Sequence, residues 1–248
     1  MKLITLNTWG GKIYQPLLEF IGKNEDVDIF CFQEIFHNLD EKTSTADLIV
    51  ADNACKKLFN SIEEILKNHE GYFCPVHGAS YGLATFVKKN IQVAEVGNVL
   101  LYKNENFDPN DDFSDHDRKL QWVKIHNDKD TIIMNVHGHW TGKGKKDNPI
   151  RLRQSKQISN LLDKFKDVPR ILCGDFNLRP DTESIRMLEK NMMNLVVKNG
   201  ITSTRTSLYS KSEKFADYIF TSPEVEVIDF KILPDVVSDH TPLLLEFK

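Results

Sequence analysis

The sequence lacks a surplus of basic residues. Its 248 residues include 32 Lys and Arg against 36 Asp and Glu, which gives a formal net charge of -4. Proteins that bind long nucleic acid through many phosphates usually carry a basic surplus. We therefore expect any recognition of phosphate to be local. A protein that coats long duplex is disfavoured, whereas one that acts on chain ends or on small esters is not.

Closely spaced cysteines and long apolar runs are also missing. The four cysteines (Cys31, Cys55, Cys74 and Cys173) have no spacing that indicates a disulfide framework or a zinc site. Cys31 and Cys173 lie in apolar runs and are predicted to be buried thiols. The apolar run at the amino terminus is too short for a signal peptide, and no run is long enough to span a bilayer. We expect a cytoplasmic protein without a membrane span.

Repeats, low-complexity segments and linkers are absent as well, so a single domain over residues 1–248 is preferred. Apolar periodicity predicts many strands with helices between them, and the architecture expected from this order is two packed sheets with helices outside. Strands are predicted at 2–8, 27–34, 71–76, 82–88, 91–102, 119–126, 130–137, 169–174, 216–221, 225–233 and 243–247. Helices are predicted at 15–24, at 53–68, from Asn148–Pro149 onward, and at 182–190 with Asp181 as a candidate cap. Residues 9–11 and 103–117 are predicted as loops, and 38–53 give no clear pattern.

One apolar run ends in polar residues that suit catalysis. After residues 170–173 the chain reads Gly174-Asp175-Phe176-Asn177. Side chains two positions apart share one face of a strand. If the strand extends that far, Asp175 and Asn177 point together and Phe176 packs on the other side. A carboxylate beside an amide donor suits holding a water next to a phosphoryl oxygen. An ordinary turn is the competing interpretation, because Gly, Asp and Asn all favour turns.

Acidic, amide and imidazole residues recur where the predicted strands end. Singly, each is what a solvated loop would carry, because exposed Glu, Asp and Asn are the norm. Ligand sites in sheet-based folds form where strand ends converge, so we expect the whole set to line one pocket. Its members are Asn7, Glu34, His137, Asp175, Asn177, Asp217, Asp239 and His240.

Six short motifs resemble, in sequence order, those of the endonuclease/exonuclease/phosphatase superfamily, which includes the DNase I-like nucleases. They are Leu6-Asn7-Thr8-Trp9, Phe32-Gln33-Glu34, Asn135-Val136-His137, Gly174-Asp175-Phe176-Asn177, Ala216-Asp217-Tyr218 and Ser238-Asp239-His240. The resemblance runs from residue 3 to residue 247. It implies a four-layer αββα sandwich with two mixed sheets. It also implies hydrolysis of a phosphate ester that depends on Mg²⁺, with Mn²⁺ as an alternative ion.

The resemblance implies a metal side of the site. Glu34 resembles the main metal ligand, which is plausible because Mg²⁺ binds through few carboxylates, several waters and substrate oxygens. Asn7 resembles either a ligand through water or a support for Glu34. Asp239 resembles a second carboxylate on the metal side.

The resemblance also implies catalytic roles. Asp175 resembles the group that orients and deprotonates the attacking water, and Asn177 the donor to the phosphoryl oxygens. His240 resembles the imidazole on the scissile phosphate, with Asp217 as the carboxylate that orients it. His137 lies where most branches of the superfamily carry histidine and AP endonucleases carry tyrosine, which weakens an AP-endonuclease interpretation.

The one basic cluster of the chain follows His137 and precedes a predicted helix. A loop of lysines beside a helix N-terminus can bind phosphate, and a mobile, solvated loop is the alternative. The residues predicted to bind substrate phosphate are Lys143, Lys145, Lys146, Arg151 and, more weakly, Arg118. The roles of His139, Trp9 and Trp140 stay open between substrate contact and packing.

These features favour a metal-dependent phosphodiesterase that acts on a nucleic-acid or nucleotide end, as a monomer without a stable protein partner. The first alternative is a phosphatase or phospholipase C-type hydrolase acting on inositol phosphates or sphingomyelin-like phosphodiesters. The second is a catalytically inactive binding module. Such a module would be expected to have lost some of the acidic, amide and histidine residues, and all of them are present.

Overall fold

The chain forms two β-sheets in a computed structural model that describes residues 1–38, 55–77, 79–107 and 115–248. The strands are β1 (Lys2–Asn7), β2 (Ile29–Phe36), β3 (His69–His77), β4 (Tyr81–Lys88), β5 (Gln92–Tyr102), β6 (Arg118–His126), β7 (Asp130–His137), β8 (Arg170–Asp175), β9 (Met193–Asn194), β10 (Asp217–Thr221), β11 (Val227–Ile232) and β12 (Leu243–Phe247). The α-helices are α1 (Tyr14–Lys23), α2 (Leu58–Ile65), α3 (Pro149–Lys164), α4 (Glu183–Glu189) and α5 (Leu195–Lys198). A short 3₁₀ helix covers Trp9–Gly11.

Each sheet has six strands and mixes parallel with antiparallel pairs. The strand order is β11-β12-β1-β2-β4-β3 in the first sheet and β5-β6-β7-β8-β10-β9 in the second. The parallel pairs are β1 with β2 and β7 with β8, one near the middle of each sheet. Within each pair, the carboxyl ends of the two strands therefore lie side by side, where the loops that follow them can form a ligand site.

Side-chain alternation along the strands separates the layers. In β1, Ile4 and Leu6 pack with apolar residues of α1 and α2, whereas Leu3 belongs to the core that the two sheets share. In β2, Phe30 and Phe32 likewise face the helices, and Cys31 faces the other sheet. The shared core continues to apolar residues of α3 and α4, which cover the second sheet. The result is the four-layer αββα sandwich that the resemblance implied.

A buried amide pair joins the two sheets below the carboxyl ends of β2 and β7. Gln33 Nε2 donates to Asn135 Oδ1 at 2.7 Å, and both side chains are fully buried. Asn135 Nδ2 donates in turn to the carbonyls of Phe32 and Ala84. Buried polar groups of this kind are costly unless they are hydrogen-bonded, so the pair fixes the relative position of the strands that carry Glu34 and His137.

Most of the predicted elements are confirmed, with local differences. Residues 9–11 form a helical turn rather than a flexible loop. Helix α2 is shorter than the predicted 53–68. The cap of α4 is Thr182, whose side chain accepts from the backbone N–H of Ile185, so the choice of Asp181 was wrong. Asp181 instead pairs with Arg179. Much of the 38–53 segment and part of the predicted loop 103–117 lie outside the described residues.

The cysteine prediction is confirmed. All four cysteines are free, and Cys31 and Cys173 are buried in the core that the sheets share. No helix within the described parts of the chain combines the length and the apolar character that a membrane span requires.

We expect Gly174→Ala to destabilise the fold strongly. Gly174 has φ of +128°, and a Cβ there would overlap the carbonyl oxygen of Val136 on the neighbouring strand. Backbone strain plus this overlap should cost more than about 2 kcal/mol. Gly200→Ala is the matched control, because Gly200 also has positive φ, +62°, but its Cβ would meet no atom within 4 Å. It should cost only about 1 kcal/mol. Denaturant unfolding measures both, and equal losses would contradict the overlap.

Candidate active site

Strand register brings three of the predicted site residues side by side. His137 is the last residue of β7 and lies opposite Asp175, the last residue of β8. Asp217, the first residue of β10, lies opposite Asp175 on the other side. Asn135 of β7 faces the first sheet, because its amide bonds Gln33 there, and His137 two positions later shares that face. The polar end of each strand therefore points into the space between the two sheets.

A β-bulge brings Glu34 to the same place. The pairing of β2 with β4 shifts register between Phe32 and Ile35, and Glu34 has φ of 59°. Regular alternation would turn Glu34 toward the helices with Phe32, whereas an extra residue in a bulge re-aims the side chain. Thr8 Oγ1 holds the bulge by donating to the carbonyls of Gln33 and Glu34. The strand continues to Phe36, so the expectation that it ends at Glu34 was wrong.

Asn7 connects the two sheets at the site. Its Nδ2 donates to Glu34 Oε1 at 2.9 Å and to Asp175 Oδ2 at 3.1 Å, and its Oδ1 accepts from the backbone N–H of Trp9. All polar atoms of the amide are thus used within the protein. These contacts fit the supporting role for Glu34 better than the role of a direct metal ligand.

Asp175 is a buried carboxylate that lies close to two imidazoles and a lysine ammonium. Its residue is 1% exposed, and Oδ2 lies 3.7 Å from His240 Nε2 and 3.8 Å from His137 Nε2. Burial alone would raise the pKa of Asp175, but the positive charges of His240 and Lys145 outweigh it and lower the pKa. The carboxylate therefore stays ionised. Glu34, whose side chain is 26% exposed, has its pKa raised by partial burial.

Asn177 reaches the site through a turn and not through a strand. Strand β8 ends at Asp175, and Asn177 adopts left-handed backbone with φ of 54°. Its backbone N–H donates to Asp175 Oδ1 at 2.8 Å, and its Nδ2 donates to the carbonyl of Gly138. Phe176 is buried against Tyr218 and Phe220. The turn and the catalytic interpretation are thus compatible, because the turn itself places the amide.

His240 and Asp217 form a buried pair. His240 Nδ1 lies 2.8 Å and 2.9 Å from the two carboxylate oxygens of Asp217, to which it donates. Burial would lower the pKa of His240, but Asp217 and the other nearby carboxylates raise it overall. The far ring nitrogen, Nε2, lies 3.7 Å from Asp175 Oδ2 and 3.7 Å from Asp239 Oδ1. The imidazole is therefore held in one orientation with its other N–H directed into the site.

His137 differs from His240 in charge. Burial and the adjacent Arg118 lower the pKa of His137 well below its usual value. Arg118 Nη1 lies 3.1 Å from His137 Nε2, a distance at which the guanidinium donates to a neutral ring. Arg118 was predicted to bind phosphate, and the structure places it against this imidazole, with 1% exposure.

The predicted basic loop divides into buried and exposed side chains. Lys145 is 2% exposed, and its ammonium has no hydrogen-bond partner among the described residues. Burial lowers the pKa of Lys145 to about 8, although the nearby Asp175 opposes the shift. Lys143 and Lys146 are exposed. Arg151 donates to the carbonyls of His139, Gly144 and Lys146, so its guanidinium holds the loop together.

Arg205 and Tyr209 lie near the site, although neither belongs to a sequence motif that could have revealed it. Arg205 Nη1 donates to Asp239 Oδ2 at 2.9 Å, and Arg205 forms an isolated bridge with His240. Its guanidinium also lies 4.0 Å from the ring centre of Tyr209, which faces the Lys145 ammonium at 5.9 Å. Arg205 thus fixes the carboxylate next to His240. Only the tertiary structure brings this loop to the site.

His139, Trp9 and Trp140 lie around the site without joining the central cluster. Strand β7 ends before His139, whose Nε2 contacts Asp115 Oδ1 at 3.1 Å. The indole of Trp9 lies under Lys12, and that of Trp140 under Lys211. Both indoles are half-buried, so packing accounts for part of each ring.

The acidic residues fit a divalent cation. Mg²⁺ and similar ions prefer oxygen ligands, and Glu34 offers a partly exposed carboxylate whose one hydrogen-bonded side chain among the described residues is Asn7. Asp239 Oδ1 is buried and has no hydrogen-bond partner among the described residues, which is what a carboxylate prepared for a cation would show. A second group of ligand atoms, from Asp175, Asp217 and His240, lies within 4.8 Å of one another. In that group the bond to Asp217 occupies His240 Nδ1, and the raised pKa of His240 favours a proton on Nε2, so the first set fits a cation better.

Comparison with known proteins agrees with this geometry. The model of the Endonuclease/Exonuclease/phosphatase family matches residues 4–240. A search of curated proteins gave no match. Among solved structures, a mannosyl-6-phosphatase of Bacteroides thetaiotaomicron VPI-5482 has 17% identity and a TM-score of 0.75, with 100% of this chain and 99% of that chain covered.

Two further solved structures have the same fold. The human Nocturnin catalytic domain with bound sulfate anion has 18% identity and a TM-score of 0.67, with 100% and 94% of the two chains covered. A humanized D. rerio TDP2 has 14% identity and a TM-score of 0.66, with 100% and 98% covered. Likeness at these identities shows the fold alone, and the family assignment comes from the family model. The chain belongs to the Endonuclease/Exonuclease/phosphatase family, whose members are phosphoester hydrolases.

Proposed function

We propose that this protein is a divalent-metal-dependent phosphodiesterase that hydrolyses phosphodiester bonds at nucleic-acid or nucleotide ends by attack of water. One observation carries the proposal: an ionised, buried Asp175 and a buried Lys145 ammonium, which no described residue hydrogen-bonds, lie at the same site as the oriented His240. A phosphate group offers the anionic oxygens that the lysine lacks. The presence and proximity of all the acidic, amide and histidine residues argue against an inactive binding module.

Asp175 is proposed to orient the attacking water. Asn7 and the backbone of Asn177 each donate to one of its oxygens, so the carboxylate has a fixed position and a free lone pair on each oxygen. Its lowered pKa makes it a weak base before the reaction. The proton is therefore transferred only as the water oxygen bonds to phosphorus and becomes acidic.

The phosphoryl oxygens are proposed to face three donors. His240, held by Asp217, directs its Nε2–H toward the space beside Asp175, and Asn177 and the Lys145 ammonium supply further donors. Donors that are fixed before the reaction stabilise charge in the transition state without reorganisation. A divalent cation bound by Glu34 and Asp239 would add charge neutralisation on the same oxygens. The net charge of -4 favours a substrate that is recognised at one or a few phosphates.

Asp175→Asn should lower kcat/KM by roughly 10²–10⁴, the usual cost of losing a positioned general base. The substitution keeps the size of the side chain, so circular dichroism should stay that of the wild type. The measurement uses Mg²⁺ with a panel of single-stranded DNA, RNA, 5′-tyrosyl ends and inositol phosphates. Asp181→Asn, at an exposed carboxylate, is the control and should keep full activity. A loss smaller than about fivefold at Asp175 would remove it from the mechanism.

Lys145→Met should remove the decline of kcat/KM at high pH. The ammonium holds phosphate only when charged, so wild-type kcat/KM should fall as the pH rises through about 8, the pKa of Lys145 in the free enzyme. The variant should have lower kcat/KM at pH 7 and no decline near pH 8. Lys156→Met, at an exposed lysine of α3, should keep the wild-type profile. A decline that persists in Lys145→Met would assign the titration to another group.

Glu34→Gln should weaken binding of Mg²⁺ or Mn²⁺ at least about tenfold, because it removes an anionic ligand with little change of shape. Isothermal titration calorimetry measures the affinity in the absence of substrate. Asp217→Asn tests the other acidic group in parallel. If Asp217→Asn weakens binding and Glu34→Gln does not, the cation belongs with Asp175, Asp217 and His240.

A further inference from the structure

A cleft of about 680 Å³ lies beside the proposed reaction site. Its walls come from the end of β5, from the segment after β7 and from the first residues of α3. Residues that matter for its chemistry are Tyr102, Asp115, His139, Lys143, Lys146 and Arg151. None of the eight acidic, amide and histidine residues predicted to line one pocket is among those that line it. The cleft is therefore a separate space that opens next to the reaction site.

The cleft is lined by three basic side chains and two acidic ones, and both acidic side chains accept hydrogen bonds within the protein. Within the part of the chain that the structure describes, no carboxylate pairs with the ammonium of Lys143 or Lys146. Asp115 accepts from His139 and from Asn104. A second acidic residue, Asp147, accepts from the first backbone N–H groups of α4. Three basic side chains against two acidic ones leave the cleft with one excess positive charge.

The loop that carries these lysines is held in place by hydrogen bonds within the protein. The buried Arg151 guanidinium donates to the carbonyls of Gly144 and Lys146 at 2.9 Å and 2.6 Å. Asn148 caps α3 by accepting from the backbone N–H of Arg151. Arg151 Nη2 and His139 Nδ1 are buried without a partner among the described residues, so the wall of the cleft contains two polar atoms whose hydrogen bonds the protein itself does not supply.

The cleft and the reaction site share one stretch of backbone. His137 belongs to the reaction site, and His139 two residues later lines the cleft. Lys145 points into the reaction site, and its neighbour Lys146 lines the cleft, with their Cα atoms about 3.8 Å apart. A substrate whose scissile phosphate meets Lys145 would therefore extend its remainder along residues 139–146 toward Lys143 and Lys146.

We propose that this cleft binds a second anionic group, such as a phosphate, on the non-reacting part of the substrate, so that the preferred substrates are small phosphodiesters that carry a further phosphate. This inference rests on the proposed function, because it takes the reaction site to hold the first phosphate. Two lysines and the N-terminus of the 16-residue helix α3 attract one anionic group. The bounded volume suits a nucleotide or a phosphorylated sugar and leaves little room for a long duplex.

Binding to the full-length, metal-free protein tests the proposal without turnover. Isothermal titration calorimetry compares adenosine 5′-monophosphate with adenosine 3′,5′-bisphosphate, and glucose 6-phosphate with glucose 1,6-bisphosphate. We expect the bisphosphate of at least one pair to bind about tenfold more tightly or better, the effect of one or two charge-assisted hydrogen bonds. The pair with the larger ratio identifies a nucleoside or a sugar as the scaffold. Equal affinities within both pairs would overturn the proposal.

Two double variants assign the effect to the cleft. Lys143→Ala/Lys146→Ala should reduce the bisphosphate-to-monophosphate ratio to near one. Lys156→Ala/Lys164→Ala removes the same charge from exposed positions of α3 and should keep the wild-type ratio. A ratio that survives in the first variant, or that falls equally in both, overturns the proposal. Lys143→Gln/Lys146→Gln repeats the test with longer side chains. The proposed function is judged separately by the Asp175→Asn activity assay, so either hypothesis can fail alone.

Discussion

The arrangement of this protein depends on the stabilisation of one buried negative charge. An ionised carboxylate at 1% exposure is tolerable only if hydrogen bonds and positive charges replace its water. Asp175 receives donors from Asn7 of the first sheet and from its own turn, and it lies close to His240 and to the buried Lys145. These neighbours come from four separate segments of the chain. The contacts of this carboxylate therefore link the two sheets and the loops around them, in addition to the contacts of the apolar core.

Regular strands account for part of the site and irregular backbone for the rest. His137, Asp175 and Asp217 are placed by register alone, because each lies at the end of a strand and faces the other sheet. Glu34 and Asn177 depart from regular geometry, and both have positive φ although neither is glycine. Such conformations persist only where surrounding contacts hold them, and they are frequent at functional sites. Here Thr8 holds the first, and Asp175 receives the backbone N–H of the second.

The fold and the convergence of the central candidate residues could be predicted from the sequence, because apolar periodicity and the order of the motifs can be read along the chain. The backbone geometry that places these residues was less predictable. The alternation argument for Asn177 depended on a strand that ends two residues earlier, and the end of β2 was set at Glu34 because the sequence contains no sign of a bulge. Arg205 was missed, since its importance comes only from contact with Asp239. The loop lysines looked equivalent in sequence, and tertiary packing alone separates buried Lys145 from its exposed neighbours.

The position of β1 between β2 and β12 has a consequence for biosynthesis. Ser238 Oγ donates to the carbonyl of Asn7 across 231 residues of sequence, and Asp239 and His240 follow directly. A ribosome releases the amino-terminal strand long before the strand that pairs with its free edge. Contacts of such high sequence separation form late and slowly. A nascent chain therefore exposes an unpaired edge of β1 until β12 has been made, and the candidate site is complete only after residues 238–240 have left the ribosome.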